Sequence, residues 1–146
     1  MAEIRFDSYS PADTIEIGKK LGAALRGGET IAYRGGLGAG KTTMTRGIAL
    51  GMGLPDIVSS PTFAIVNEYC GDKLRLCHFD MYRINGADSL ESTGYYDYLG
   101  KNTVIAAEWS ENTEGLLDED ITVEIQQGSE EGHRIIIITS DKELDI

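Results

Sequence analysis

Gly35-Gly36-Leu37-Gly38-Ala39-Gly40-Lys41-Thr42 completes the pattern G-x-x-x-x-G-K-[ST], and the reading of this stretch decides the fold. Its glycines allow the backbone to turn N–H groups inward around phosphates. Lys41 is long enough to reach the β- and γ-phosphates of a nucleoside triphosphate, and the Thr42 hydroxyl is suited to ligating Mg²⁺. The pattern carries this meaning only between a strand and a helix. Glu29-Thr30-Ile31-Ala32-Tyr33-Arg34 alternates and is rich in β-branched and aromatic residues, so it reads as the strand. Met44, Ile48 and Met52 recur at helical spacing after Lys41 and supply the helix.

Upstream, Ser10-Pro11-Ala12-Asp13 offers a helix cap, a first-turn proline and an early acid. Ile17, Leu21 and Leu25 then repeat until Gly27-Gly28, predicting an amphipathic helix. Downstream, Val58-Ser59-Ser60-Pro61-Thr62-Phe63 reads as a loop and residues 64–69 as a strand. A turn at Gly71-Asp72 joins that strand to another over 73–80, giving a hairpin. Residues 87–93 read as a short helix, and Thr103-Val104-Ile105-Ala106-Ala107 has the continuous apolar character of a buried parallel strand. Residues 121–126 and 133–139 form a terminal antiparallel pair. The expected fold is α/β, a P-loop NTPase-like mixed and mainly parallel sheet with helices on both faces, in a single domain over residues 1–146.

Composition narrows the function. The chain is 41% hydrophobic, and no apolar run is long enough to span a membrane. No basic stretch followed by an apolar one opens it, so a cytoplasmic address is expected. Cys70 and Cys77 flank the hairpin turn and are expected to stay thiols, while His78 and His133 fall in no metal-ligand spacing and read as structural residues. Of the net charge of −11, residues 108–146 carry −10, so the segment holding the phosphate loop is nearly neutral and the last quarter is a polyanion. Such a surface repels free nucleic acid and suits either a solvated face or a basic protein partner. Lysine and arginine are too dispersed for direct RNA binding.

A nucleotide hydrolase needs an acid at the end of an apolar strand to hold Mg²⁺ and a polar group to order water. Two strand ends qualify, Asp80 and Glu108. Thr62 is the candidate to sense the γ-phosphate, Trp109 adjoins Glu108, and Arg46 and Arg83 could offset phosphate charge. An Asn-Lys-x-Asp guanine-reading segment is absent, which argues against a GTPase, and the chain has little room for the arginine-bearing lid of a nucleotide kinase. Slow, partner-controlled hydrolysis is the expected activity, with a nucleotide-dependent binding module that need not hydrolyse as the alternative.

Five segments together resemble one family: 35–43, Ser60-Pro61-Thr62-Phe63, Asn67-Glu68-Tyr69, His78-Phe79-Asp80-Met81-Tyr82-Arg83 and Glu108-Trp109. In order and spacing they are similar to the TsaE (YjeE) family, small bacterial ATPases needed to make threonylcarbamoyladenosine beside the anticodon of certain transfer RNAs. The likeness runs over about residues 10–125. It implies binding of ATP and Mg²⁺ in support of a complex of two partner proteins, TsaB and TsaD, which transfers the threonylcarbamoyl group. By position, it implies that Gly36, Leu37, Gly38, Ala39, Gly40, Lys41, Thr42 and Thr43 hold phosphates, with Thr42 and Glu108 on the metal. Asp80 would then aid metal or water, Thr62 would act as a switch-like threonine and Trp109 would lie beside the nucleotide. Gly36, Met81 and Ser110 depart from the family's usual Asp, Leu and Pro, and Gly36 adds ordering entropy to the loop.

Overall fold

The computed structural model describes residues 2–35, 40–54, 66–80, 99–108, 119–141, 144 and 146, Asp80 by its backbone alone. In chain order the elements are β1 (Ala2–Ser8), α1 (Pro11–Ala24), β2 (Thr30–Gly35), α2 (Lys41–Gly51), β3 (Val66–Cys70), β4 (Arg75–Asp80), β5 (Thr103–Glu108), β6 (Ile121–Gln127) and β7 (Arg134–Ser140). Their seven strands make one sheet in the order β1-β7-β6-β2-β5-β4-β3. The central strands β6, β2, β5 and β4 are parallel, and antiparallel strands flank them on both sides.

The expected hairpin is β3–β4, and the expected terminal pair is β6–β7. The helix expected over 87–93 and the loop carrying Thr62 lie outside the described residues. One strand escaped the sequence reading. Ile4 and Phe6 alternate with Glu3, Arg5 and Asp7 in β1, which adds to β7 with Ile4 opposite Ile138 and Phe6 opposite Ile136.

Parallel strands are buried on both faces, and this explains the unbroken apolar run of β5. Val104 and Ala106 face the helices with Ile31, Tyr33 and Leu76, whereas Ala32, Cys77, Phe79, Ile105 and Ala107 face the other way and are equally buried. On the helix side the core joins Ile17, Leu21, Met44 and Ile48 to this strand layer.

Helix α1 begins as its sequence dictates. The Ser10 hydroxyl accepts from the Asp13 backbone N–H at 3.1 Å, and the Asp13 carboxylate accepts from Tyr9 N–H at 2.9 Å. Its packing on α2 depends on an absence of side chains. A Cβ on Gly18 would lie 2.9 Å from Gly47 Cα, and one on Gly22 would lie 3.1 Å from Gly51 Cα. Each helix thus presents G-x-x-x-G to the other, and the pairing of Gly18 with Gly47 and Gly22 with Gly51 means that the helices run in the same direction. Both N-termini lie at one end.

Two outcomes follow from this packing. A Cβ on Gly47 would lie 2.3 Å from the Ile15 carbonyl oxygen, so Gly47→Ala should destabilise the protein by about 1–3 kcal/mol, read as a lowered midpoint in thermal denaturation. An unchanged midpoint would show that the helices stand further apart. Burial pushes the Cys77 thiol up to about 11, so iodoacetamide at pH 8 should label exposed Cys70 and leave Cys77 unlabelled until denaturant is added. With the neutral thiol favoured in the folded state, this group's contribution holds below about pH 9 and falls away as pH rises toward 11.

Candidate functional site

The strand β2 lies between β6 and β5, both parallel to it, so its C-terminal end is crowded by neighbours. Gly35 closes it with φ +114°, and a Cβ there would lie 2.4 Å from the Ile125 carbonyl oxygen. Only glycine fits. Residues 36–39 lie outside the described residues, and the chain is described again at Gly40, whose φ of +92° and ψ of 9° place it in the left-handed region at the N-cap of α2. Gly40, as N-cap, has no side chain with which to cap this helix. This is the end of the helix where the dipole favours an anion.

Lys41, the first residue of α2, is buried, and its Nζ donates to the Gly35 carbonyl at 3.3 Å. The ammonium is thereby folded back across the gap between strand end and helix start. Thr42 and Thr43 follow, both half-buried. A hydrogen-bond chain fixes this turn to the sheet. Thr45 Oγ1 donates to the Lys41 carbonyl at 2.8 Å, which leaves the hydroxyl oxygen to accept from Tyr33 O–H at 2.6 Å. Burial raises the Tyr33 phenol far above its ordinary range, the Thr45 bond opposes this and the Glu108 charge adds to it, so the phenol remains a donor.

The two sequence-predicted acids meet at the same edge of the sheet. Asp80 ends β4, Glu108 ends β5, and they are directly paired in register. Glu108 Oε2 lies 2.5 Å from Nε2 of His78, a fully buried side chain. His78, read from the sequence as a structural residue, therefore touches a candidate metal ligand. Its signal was its place two residues before a strand-closing acid, but the pairing with β5 that completes the contact is invisible in one segment. Among the described residues no group of three His, Cys, Asp or Glu side chains converges as a self-contained metal centre. The donor set fits a hard divalent cation held by one or two carboxylates and completed by phosphate oxygens and water.

On the other side of β2, a cavity of about 170 Å³ opens beside Gly40 and Thr43. Its remaining walls are Ser10, Pro11 and Thr14 at the start of α1, with Gly132 and Arg134 at the β6–β7 turn. Tyr9 stacks on His133 next to these residues, with ring centroids 4.7 Å apart. These segments are far from the phosphate loop in sequence, and nothing in the motif pointed to them. Of the other residues singled out from the sequence, Arg46 is exposed, and Leu37, Thr62, Arg83 and Trp109 lie outside the described residues, as do Gly36, Gly38 and Ala39.

A family model described as "Threonylcarbamoyl adenosine biosynthesis protein TsaE" matches residues 8–136. Two relatives bear the name tRNA threonylcarbamoyladenosine biosynthesis protein TsaE. The Bacillus subtilis protein is 37% identical over 120 residues, covering 82% of this chain and 75% of its own length. The Aquifex aeolicus protein is 38% identical over 119 residues, covering 80% and 82%. A crystal structure of YdiB from Bacillus subtilis superposes with a TM-score of 0.75 at 29% identity, covering 97% of this chain and 87% of the other.

Removing the Tyr33 hydroxyl while keeping its ring, Tyr33→Phe, should cost about 1 kcal/mol in chemical denaturation, because Thr45 loses its donor but keeps its bond to Lys41. A neutral result would mean that the turn is held without this chain.

Proposed function

The chain belongs to the TsaE family, and from that premise we propose that it binds ATP with Mg²⁺, hydrolyses it, and thereby supports a TsaB–TsaD complex forming threonylcarbamoyladenosine on transfer RNA in the cytoplasm. The observation that carries the nucleotide reading is the buried Lys41 at the first residue of α2, its ammonium turned onto the carbonyl that opens the glycine loop. A buried ammonium needs strong hydrogen-bond acceptors, and phosphate oxygens supply both acceptors and counter-charge.

In this reading residues 36–43 hold the phosphates through backbone N–H groups and the Lys41 ammonium. Thr42 and Glu108 would hold Mg²⁺, which when bound supplies charge neutralisation at the terminal phosphates. Asp80, closing the strand next to Glu108, orders water for attack on the γ-phosphorus, and Thr62 senses whether that phosphate is present. The carboxylates lie on the β5–β4 side of β2 and the cavity on the β7 side, so a triphosphate pointing its terminal end at the carboxylates leaves its nucleoside to the cavity. Ser10, Thr14 and Arg134 would meet ribose and base there. The chain's acidic C-terminal quarter supports contact with proteins and leaves the RNA to the partners.

Calorimetry with MgATP tests the binding step. Lys41→Ala should weaken affinity about 10- to 100-fold, the loss expected for a hydrogen bond to a charged group. Asp80→Ala should retain binding yet lose hydrolysis and, with TsaB and TsaD added, lose transfer-RNA modification. Modification that persists without hydrolysis would make the protein a nucleotide-dependent binding module instead. A wild-type protein that gives no heat with MgATP overturns the proposal.

A further inference from the structure

The contact between His78 and Glu108 has a direction. His78 is fully buried on β4, between parallel β5 and antiparallel β3, with Ala106 of β5 and Asn67 of β3 as its backbone neighbours in register. Its Nδ1 is shut away from solvent and, among the described residues, has no hydrogen-bond partner. A proton on Nδ1 would be a buried donor with nothing to accept it, which is the more costly orphan, whereas an unprotonated Nδ1 leaves only a weakly demanding lone pair. The ring proton therefore belongs on Nε2, where the Glu108 carboxylate accepts it at 2.5 Å. That bond occupies Oε2, and among the described residues no hydrogen bond engages Oε1.

From this geometry we infer that His78 is a positioning residue for the metal-binding carboxylate. Its Nε2–H anchors one oxygen of Glu108 so that the other is presented to Mg²⁺. The inference rests on the proposed role of Glu108 as a Mg²⁺ ligand and extends it to a residue that would touch neither metal nor nucleotide. A carboxylate at the end of a strand, 12% exposed at its side chain, would otherwise sample several rotamers. Here a rigid ring on the adjacent strand selects one of them. Outer partners of this kind usually alter metal affinity by about 10- to 100-fold when removed.

Two measurements separate this role from packing alone. In the first, Mg²⁺ is titrated into the protein complexed with a fluorescent N-methylanthraniloyl ATP. His78→Phe keeps a flat aromatic ring and loses the donor, and should raise the Mg²⁺ concentration at half-effect about 10- to 100-fold while leaving Mg²⁺-free nucleotide affinity within about twofold. His78→Gln, whose amide Nε2 can donate to the same oxygen, should recover most of the loss. The second is ¹⁵N NMR of the wild-type imidazole without nucleotide or metal, which should find the proton on Nε2. That reading stands even if His78→Phe fails to fold. A proton on Nδ1, or a folded His78→Phe with an unchanged Mg²⁺ requirement, overturns the inference alone. A wild-type protein with no Mg²⁺-dependent nucleotide binding overturns the proposed function along with it.

Discussion

Everything at the candidate site depends on how closely α1 and α2 approach. The four glycines 18, 22, 47 and 51 remove the side chains that would hold the helices apart, so that backbone rests on backbone where a Cβ would come within about 3 Å of the other helix. Because the contact is a matched pair of G-x-x-x-G stripes with the same spacing and direction, it fixes orientation as well as distance. Both helices run against β2, so both N-termini stand over the edge where β2, β5 and β4 end. Two positive dipole ends thereby face one cavity, and neither helix alone could provide that.

Charge is distributed around this edge with a division of labour. Lys41 and the helix N-termini provide the positive side, and Glu108 on the neighbouring parallel strand the negative side. The acidic C-terminal quarter is not simply a solvated face. Glu119 pairs with Arg34 at 3.1 Å, and the Asp120 carboxylate accepts from Thr30 N–H at 2.9 Å, both fastening the entrance of β6 to β2. A half-buried ion pair of this sort contributes little singly, but the Asp120 bond also satisfies a backbone donor of a buried strand. Part of the negative charge that looked like a partner-facing surface is therefore engaged in holding the sheet together.

The strand and helix that flank the glycine motif, the hairpin and the terminal antiparallel pair were legible because each is a local pattern: a fixed spacing, an alternation, a turn residue. Ser10 and Asp13 were legible for the same reason, and they cap α1 as their chemistry requires. The glycine seam was not legible, since four glycines inside helical patterns read as weaknesses until the partner helix is known. Strand β1 alternates plainly enough, but its partner β7 lies some hundred and thirty residues further along the chain, and the pairing that makes it a strand is not encoded in its own segment. The site was half visible. Lys41 and Glu108 announce themselves by motif and strand end, whereas the His78 contact and the Arg134 wall arise from register and topology, which no single segment encodes.

The close approach of Gly35 to Ile125 has a consequence for how the protein is made. The neighbours that flank β2 in the sheet, β5 and β6, lie some seventy to ninety residues further along the chain. At ribosomal speeds of about 5–20 residues per second, the segment carrying the glycine loop emerges on the order of 5–20 s before the strand that seats it. During that interval β2 is an apolar ribbon whose β6-facing edge is bare, and until β5 is made both edges are. Nascent polypeptides stalled before residue 121 would thus carry the whole binding motif without the scaffold that gives it shape, a stage at which chaperone capture competes with folding.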